Sequence, residues 1–71
     1  MNFILEPNQE YIALSQLLKF LGLVDTGGEA FSVIDQGEVI LNGEVEYQRR
    51  KKIRNGDVVI FNETEITILN Q

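Results

Sequence analysis

The hydrophobic period of this chain changes at Gly37, and that change decides what the chain can fold into. Before it, Leu14, Leu17, Leu18 and Leu21 recur at helical spacing. Ile12 and Tyr11 extend the pattern at its start and Gly22 is placed to end it, so a helix is predicted from Glu10 to Leu23. Thr26 and Glu29 then stand at the T-x-x-E spacing of a capping box. In that arrangement the Thr26 hydroxyl accepts from the Glu29 N–H, while the Glu29 carboxylate reaches back to the Thr26 N–H. A second helix is predicted from there to Gly37, with Ala30, Val33 and Ile34 on one face. It is too short to persist alone and must lie against the first.

After Gly37 the period is two. Val39 and Leu41 share a face, Asn42-Gly43 follows, and Val45 and Tyr47 continue the alternation. Asn-Gly between alternating runs signals a hairpin, because a type I′ turn needs positive φ at both central residues. Asn55-Gly56-Asp57 is a further turn. The apolar run Val58 to Phe61 must be covered on both faces or lie at the centre of a sheet. Asn62-Glu63 turns into an end strand with Ile66, Ile68 and Leu69, which can pair with the short strand Phe3 to Leu5, itself stopped by Glu6-Pro7-Asn8. This order is an α+β pattern: two short N-terminal helices packed on a small antiparallel sheet. The expected core is Leu14, Leu17, Leu18, Leu21, Ala30, Val33, Ile34, Val39, Leu41, Val45, Val58, Ile60 and Ile68.

A length of 71 residues allows one domain, residues 1–71, with a small core. There is no Cys to staple it, so a secreted mini-domain is disfavoured and a cytoplasmic protein is expected. The start of the chain lacks the basic and apolar segments of a signal peptide, and no apolar run is long enough to cross a bilayer. No membrane association is expected, and a monomer is.

The charge is segregated. Of the 6 Lys and Arg, five (Arg49, Arg50, Lys51, Lys52 and Arg54) fall within six consecutive positions free of carboxylates, and all 11 acids share the rest of the chain with Lys19. The segment therefore carries +5 and the remainder −10, a division hidden in the net charge of −5. Clustered cations that neutralise phosphates release counterions, so such a segment can bind RNA locally on a body that otherwise repels it. Thr26-Gly27 adds a Gly-rich helix start able to face an anion, although Glu29 competes for the same end. Phe31 reads as partial core and Tyr47, which continues the Val45 alternation, reads first as packing too, but Tyr47 adjoins the cations and is the likelier of the two to stack on a base.

Catalysis finds no support. With no His and no Cys, the commonest general base and the soft metal ligands are missing. The carboxylates have no EF-hand spacing, no Gly-rich loop ends in a Walker Lys-Ser/Thr, and neither Ser15 nor Ser32 has an evident base. No enzyme activity, metal site or cofactor is expected.

From Tyr11 to Phe61 the ordered set L-K-x-x-G-L-V, T-G-G-E-A, I-x-x-G-x-V-x-x-N-G-E-V-E, the basic run and G-D-x-V resembles the S4 RNA-binding domain, or αL motif. It is most similar to the small stand-alone bacterial members of YaaA/YbcJ type. The resemblance implies a module in which the two helices, the turn before the second and the hairpin form a surface for structured RNA, ribosomal or transfer RNA. It implies RNA-binding roles for Arg49, Arg50, Lys51, Lys52 and Arg54, with Lys19, Thr26 and Gly27 at the edge of the footprint, and ribosomal proteins as possible further partners. Phe31 departs from the pattern, since those relatives place a Lys there, and this shifts the burden onto the basic run. The alternative is a protein-interaction module whose basic loop docks on an acidic partner without binding nucleic acid.

Overall fold

The computed structural model describes all of residues 1–71. The elements in order are β1 (Asn2–Ile4), β2 (Ile12–Ala13), α1 (Leu14–Phe20), α2 (Gly27–Asp35), β3 (Val39–Leu41), β4 (Glu44–Val45), β5 (Lys52–Ile53), β6 (Val58–Phe61) and β7 (Thr64–Leu69). Five strands form one sheet in the order β1-β7-β6-β3-β4, antiparallel except that β1 runs parallel to β7. β2 and β5 make a separate antiparallel ribbon.

Both helices stop where the glycines predict. Gly22 and Gly37 have φ of +72° and +77°, and each closes a Schellman motif. Leu23 N–H bonds the Leu18 carbonyl and Gly22 N–H that of Lys19, and Glu38 and Gly37 do the same to Val33 and Ile34. Gly37 has a second reason to lack a side chain, because the Tyr47 hydroxyl lies 3.1 Å from where a Cβ would stand. The Asn42-Gly43 turn is of the expected kind, with φ of +50° and +88°.

The start of α1 differs from the prediction. Tyr11, Ile12 and Ala13 are apolar enough to continue the leucine pattern, but Ile12 and Ala13 are extended and pair with Ile53 and Lys52. A tertiary partner outcompetes the local helical period. The capping box is half as expected: the Thr26 hydroxyl accepts from Glu29 N–H at 3.0 Å, but the Glu29 carboxylate takes the N–H of Asp25, at 2.8 Å, rather than that of Thr26.

Register explains the changes in the core. Val39 pairs with Phe61 and Leu41 with Val59, so Val59 and Phe61 turn inward with Ile66 and Ile68, while Val58 and Ile60 are half-buried on the other face. Val45 lies opposite Ile40 on that outer face and is 45% exposed instead of buried. A strand has period two, so a one-residue choice moves every side chain across the sheet. Phe3, Leu5 and Ile53, absent from the expected core, are buried, and Leu21 and Val33 are only partly buried. The 16 buried apolar residues form one cluster in which Leu14, Leu17, Leu18, Ala30 and Ile34 of the two helices meet the inner face of the sheet.

Leu18 is wholly buried in that cluster. Leu18→Ala should lower stability by roughly 2–5 kcal/mol, from a total on the order of 5–15. A urea titration in which the loss stays below about 1 kcal/mol would contradict this packing.

Candidate nucleic-acid interface

The basic segment is not a loose loop. The Arg49 carbonyl accepts from Ser15 N–H at 3.0 Å and the Lys51 carbonyl from Leu14 N–H at 2.9 Å. These are the first N–H groups of α1, whose N-cap residue Ala13 has no side chain to serve them. The next residues form β5, and Ile53 is fully buried. Beyond it, the Asp57 carboxylate accepts from Arg54 N–H at 2.8 Å and from the Asn42 side-chain amide at 3.0 Å. The Asn42 side-chain oxygen in turn accepts from Val58 N–H at 2.8 Å. The N-G and N-G-D turns therefore tie the hairpin to the end of the segment. With its backbone bonded inward and Ile53 in the core, the segment forms a ridge that leaves its charged side chains outside.

The five cations of the ridge are not equivalent. Arg49 makes a two-pronged pair with Asp35 at the end of α2, with Nε to Oδ1 at 3.0 Å and the terminal nitrogen to Oδ2 at 2.5 Å. Its guanidinium also lies 4.8 Å from the centre of the Phe31 ring. The hydrogen bonds from Arg49 hold the Asp35 carboxyl below its usual range, opposed by desolvation and aided by the opposite charge. The same hydrogen bonds raise Arg49. Asp35 thus stays ionised at neutral and mildly acid pH, and whatever the pair contributes fades only as pH falls through its depressed value. It is the only ion pair in the chain. Arg50, Lys51, Lys52 and Arg54 are free of carboxylate partners.

The ridge divides two open hollows. One, of about 230 Å³, lies between α1 and the start of α2 and is lined by Ser15, Gln16, Lys19, Gly27, Phe31 and Arg50. It brings together three of the candidate residues, Lys19, Gly27 and Arg50. A Cβ at Gly27 would meet nothing within 4 Å, so no packing contact requires this glycine. The Thr26 hydroxyl is occupied by Glu29 and acts as a helix cap. The other hollow, of about 420 Å³, is lined by Lys51, Lys52 and Arg54 together with Glu44, Glu46 and Asp57 of the hairpin and turn.

Phe31 is half-buried, as expected, but adjacency in sequence does not bring Tyr47 to the cations. Tyr47 has no cation over its ring and leans on Gly37. Phe31 is beside Arg49 and Arg50, the latter at 5.8 Å, and Tyr11 is beside Lys52 and Arg54. The missed signal was Ile53, a single apolar residue within a run of charge, which marks where the ridge enters the core.

Two helices, a hairpin and a sheet, with the basic ridge crossing the start of the first helix, define an αL-type binding domain, a non-enzymatic class of fold. The chain belongs to the S4 domain family, whose model matches residues 5–69. It is 38% identical over 50 residues to the probable ribosome maturation protein RlbA of Bacillus subtilis (strain 168), a match covering 70% of each chain. It is also similar to YbcJ from E. coli, with a TM-score of 0.71 and 31% identity over 96% of this chain and 85% of that one. The solution structure of YbcJ is described as revealing an αL motif involved in RNA-binding. The resemblance drawn from the ordered motifs is thereby borne out.

Ile53→Ala should cost roughly 2–5 kcal/mol by cavity formation. It should also speed hydrogen exchange at Leu14 and Ser15, whose N–H groups bond the ridge. Unchanged exchange at those two amides would mean that the ridge is held without Ile53.

Proposed function

We propose that this protein is a non-catalytic, monomeric, cytoplasmic RNA-binding domain that recognises structured RNA, ribosomal or transfer RNA, by shape and phosphates. The observation that carries the reading is the ridge: four cations without carboxylate partners, projected from a backbone fixed at both ends. Arg50, Lys51, Lys52 and Arg54 contact phosphates, with Lys19 and the Thr26-Gly27 turn extending the footprint beside Arg50. Arg49 is held by Asp35 and supports the ridge more than it contacts RNA. Similarity to RlbA, a probable ribosome maturation protein, favours ribosomal over transfer RNA, and the αL motif of YbcJ favours RNA over protein. No helix here is long and apolar enough to cross a membrane.

Four phosphate contacts give a log–log salt dependence with a slope of magnitude roughly 3 to 4, at about 0.7 to 0.9 per contact. Arg50→Gln should lower the slope by about one contact and weaken binding to different RNAs alike, since phosphate contacts do not read bases. Arg49→Gln should leave the slope nearly unchanged. The measurement is binding to a structured ribosomal RNA fragment across a salt series, with a thermal melt for each variant. If wild type binds RNA no better than Lys51→Glu at low salt, the ridge is a dock for an acidic protein and the RNA reading is lost.

A further inference from the structure

Two cations of the ridge lean on one ring. Lys52 Nζ lies 5.0 Å and the Arg54 guanidinium 5.6 Å from the centre of Tyr11, and neither has a carboxylate partner. Tyr11 stands one residue beyond the pairing of Ile12 with Ile53, across from Arg54. Ile12 and Ile53 point into the core, so Tyr11, Lys52 and Arg54 share the outward side of the ribbon, and the tyrosine is 40% exposed. The support is rigid, since Ile53 is fully buried and Arg54 N–H is bonded to Asp57.

We propose that Tyr11 is a stacking platform for one unpaired nucleobase, with Lys52 and Arg54 holding the phosphates on either side of that nucleotide. This rests on the RNA-binding reading above and adds to it the kind of RNA selected: a bulge or loop nucleotide beside a helix, not a regular duplex. An unpaired base needs an aromatic face fixed in place, with positive charge where its backbone runs. In the free protein the two cations use the ring themselves. Each is the end of a flexible exposed side chain, and an exposed cation–π contact is weaker than base stacking on an aromatic ring. An incoming base therefore takes the ring, and its phosphates take the cations.

The other rings do not meet these requirements. Phe31 has Arg50 at 5.8 Å, but it is half-buried, and its nearer cation, Arg49 at 4.8 Å, is already held by Asp35. Phe20 is 73% exposed, but it stands edge-on to Phe3 and carries no cation. Tyr47 lies against Gly37.

The test compares three RNA hairpins with one stem: fully paired, with a single bulged adenosine, and with an abasic residue in the bulge. Binding of the whole chain is followed by anisotropy over a salt series. Wild type should bind the adenosine bulge about tenfold or more tightly than the abasic one. Tyr11→Ala should erase that preference and keep the salt slope, and Tyr11→Phe should retain it. A second readout does not require a Tyr11 variant to fold. The chain has two tyrosines and no tryptophan, so Tyr47→Phe leaves Tyr11 as the only tyrosine emitter. Its emission should be quenched by the adenosine bulge and not by the abasic bulge. If wild type binds all three hairpins alike, while Arg50→Gln still lowers the salt slope, the stacking platform falls and the RNA reading stands. If wild type binds none of them, both fall.

Discussion

Two backbone hydrogen bonds join the basic ridge to the first helix, from Leu14 N–H to the Lys51 carbonyl and from Ser15 N–H to the Arg49 carbonyl. Each end of an α-helix leaves backbone groups unserved, and Ala13 offers the start of α1 no side-chain acceptor. The ridge supplies the missing carbonyls, so α1 has a satisfied start only when residues 49–51 are docked. Docking in turn depends on Ile53, which is wholly buried beside the ribbon pair Ile12 and Ala13. A segment of this composition would otherwise be solvated and mobile. Here the core and the first helix require its backbone, and the cations come as a consequence of where that backbone must run.

The same arrangement eases two electrostatic conflicts. Asp35 sits in the last turn of α2, which has no basic residue of its own, and there a negative charge opposes the helix dipole. Arg49 comes from the ridge to neutralise it with two hydrogen bonds. In doing so it removes one like charge from a run of five, lowering their mutual repulsion. Both groups are about half exposed, so the pair matters more for orientation than for stability. It ties the ridge to the second helix as the Leu14 and Ser15 bonds tie it to the first, and leaves Arg50 over the hollow between them.

Local chemistry was legible in the sequence wherever one residue type does one job. The glycines that end both helices, the Thr26 cap and the Asn42-Gly43 turn follow from φ preference and hydrogen-bonding capacity, and each is found in place. The pairing of β7 with the N-terminal strand was also legible, because the short strand at Phe3 has no neighbour in sequence to pair with; its parallel direction was not. What sequence could not decide was competition between partners. Tyr11 to Ala13 fit a helix period and a strand equally well, and only Ile53, 41 positions further on, selects the strand. The continuous run Val58 to Phe61 carries no alternation to announce its inward face, so register was set by Val39 and Leu41 across the sheet. Within the candidate site, the cations were plain from charge alone. Their division into one paired arginine and four unpaired side chains depends on Asp35, which no spacing rule connects to Arg49.

The acidic body raises the question of how the ridge can attract an anion at all. The molecule measures 31 × 24 × 19 Å, whereas screening at physiological ionic strength acts over about 8 Å. Carboxylates on the far side of the molecule are therefore screened from the ridge, and the acids that weigh on it are its neighbours. Asp35 is paired with Arg49, Glu10 lines a hollow with Arg54, and Glu44, Glu46 and Asp57 line the hairpin-side hollow with Lys51, Lys52 and Arg54. Asp57 is occupied by Arg54 N–H and Asn42, and Glu46 by the N–H of Gln48, which leaves Glu44 as the carboxylate of the hairpin-side hollow with no bond of its own. A phosphate in that hollow is repelled by the acids and attracted by the cations, whereas the hollow of Lys19 and Arg50 has no carboxylate in its lining. The two sides of the ridge are therefore unequal. The helix side presents cations alone, whereas the hairpin side sets cations and carboxylates together.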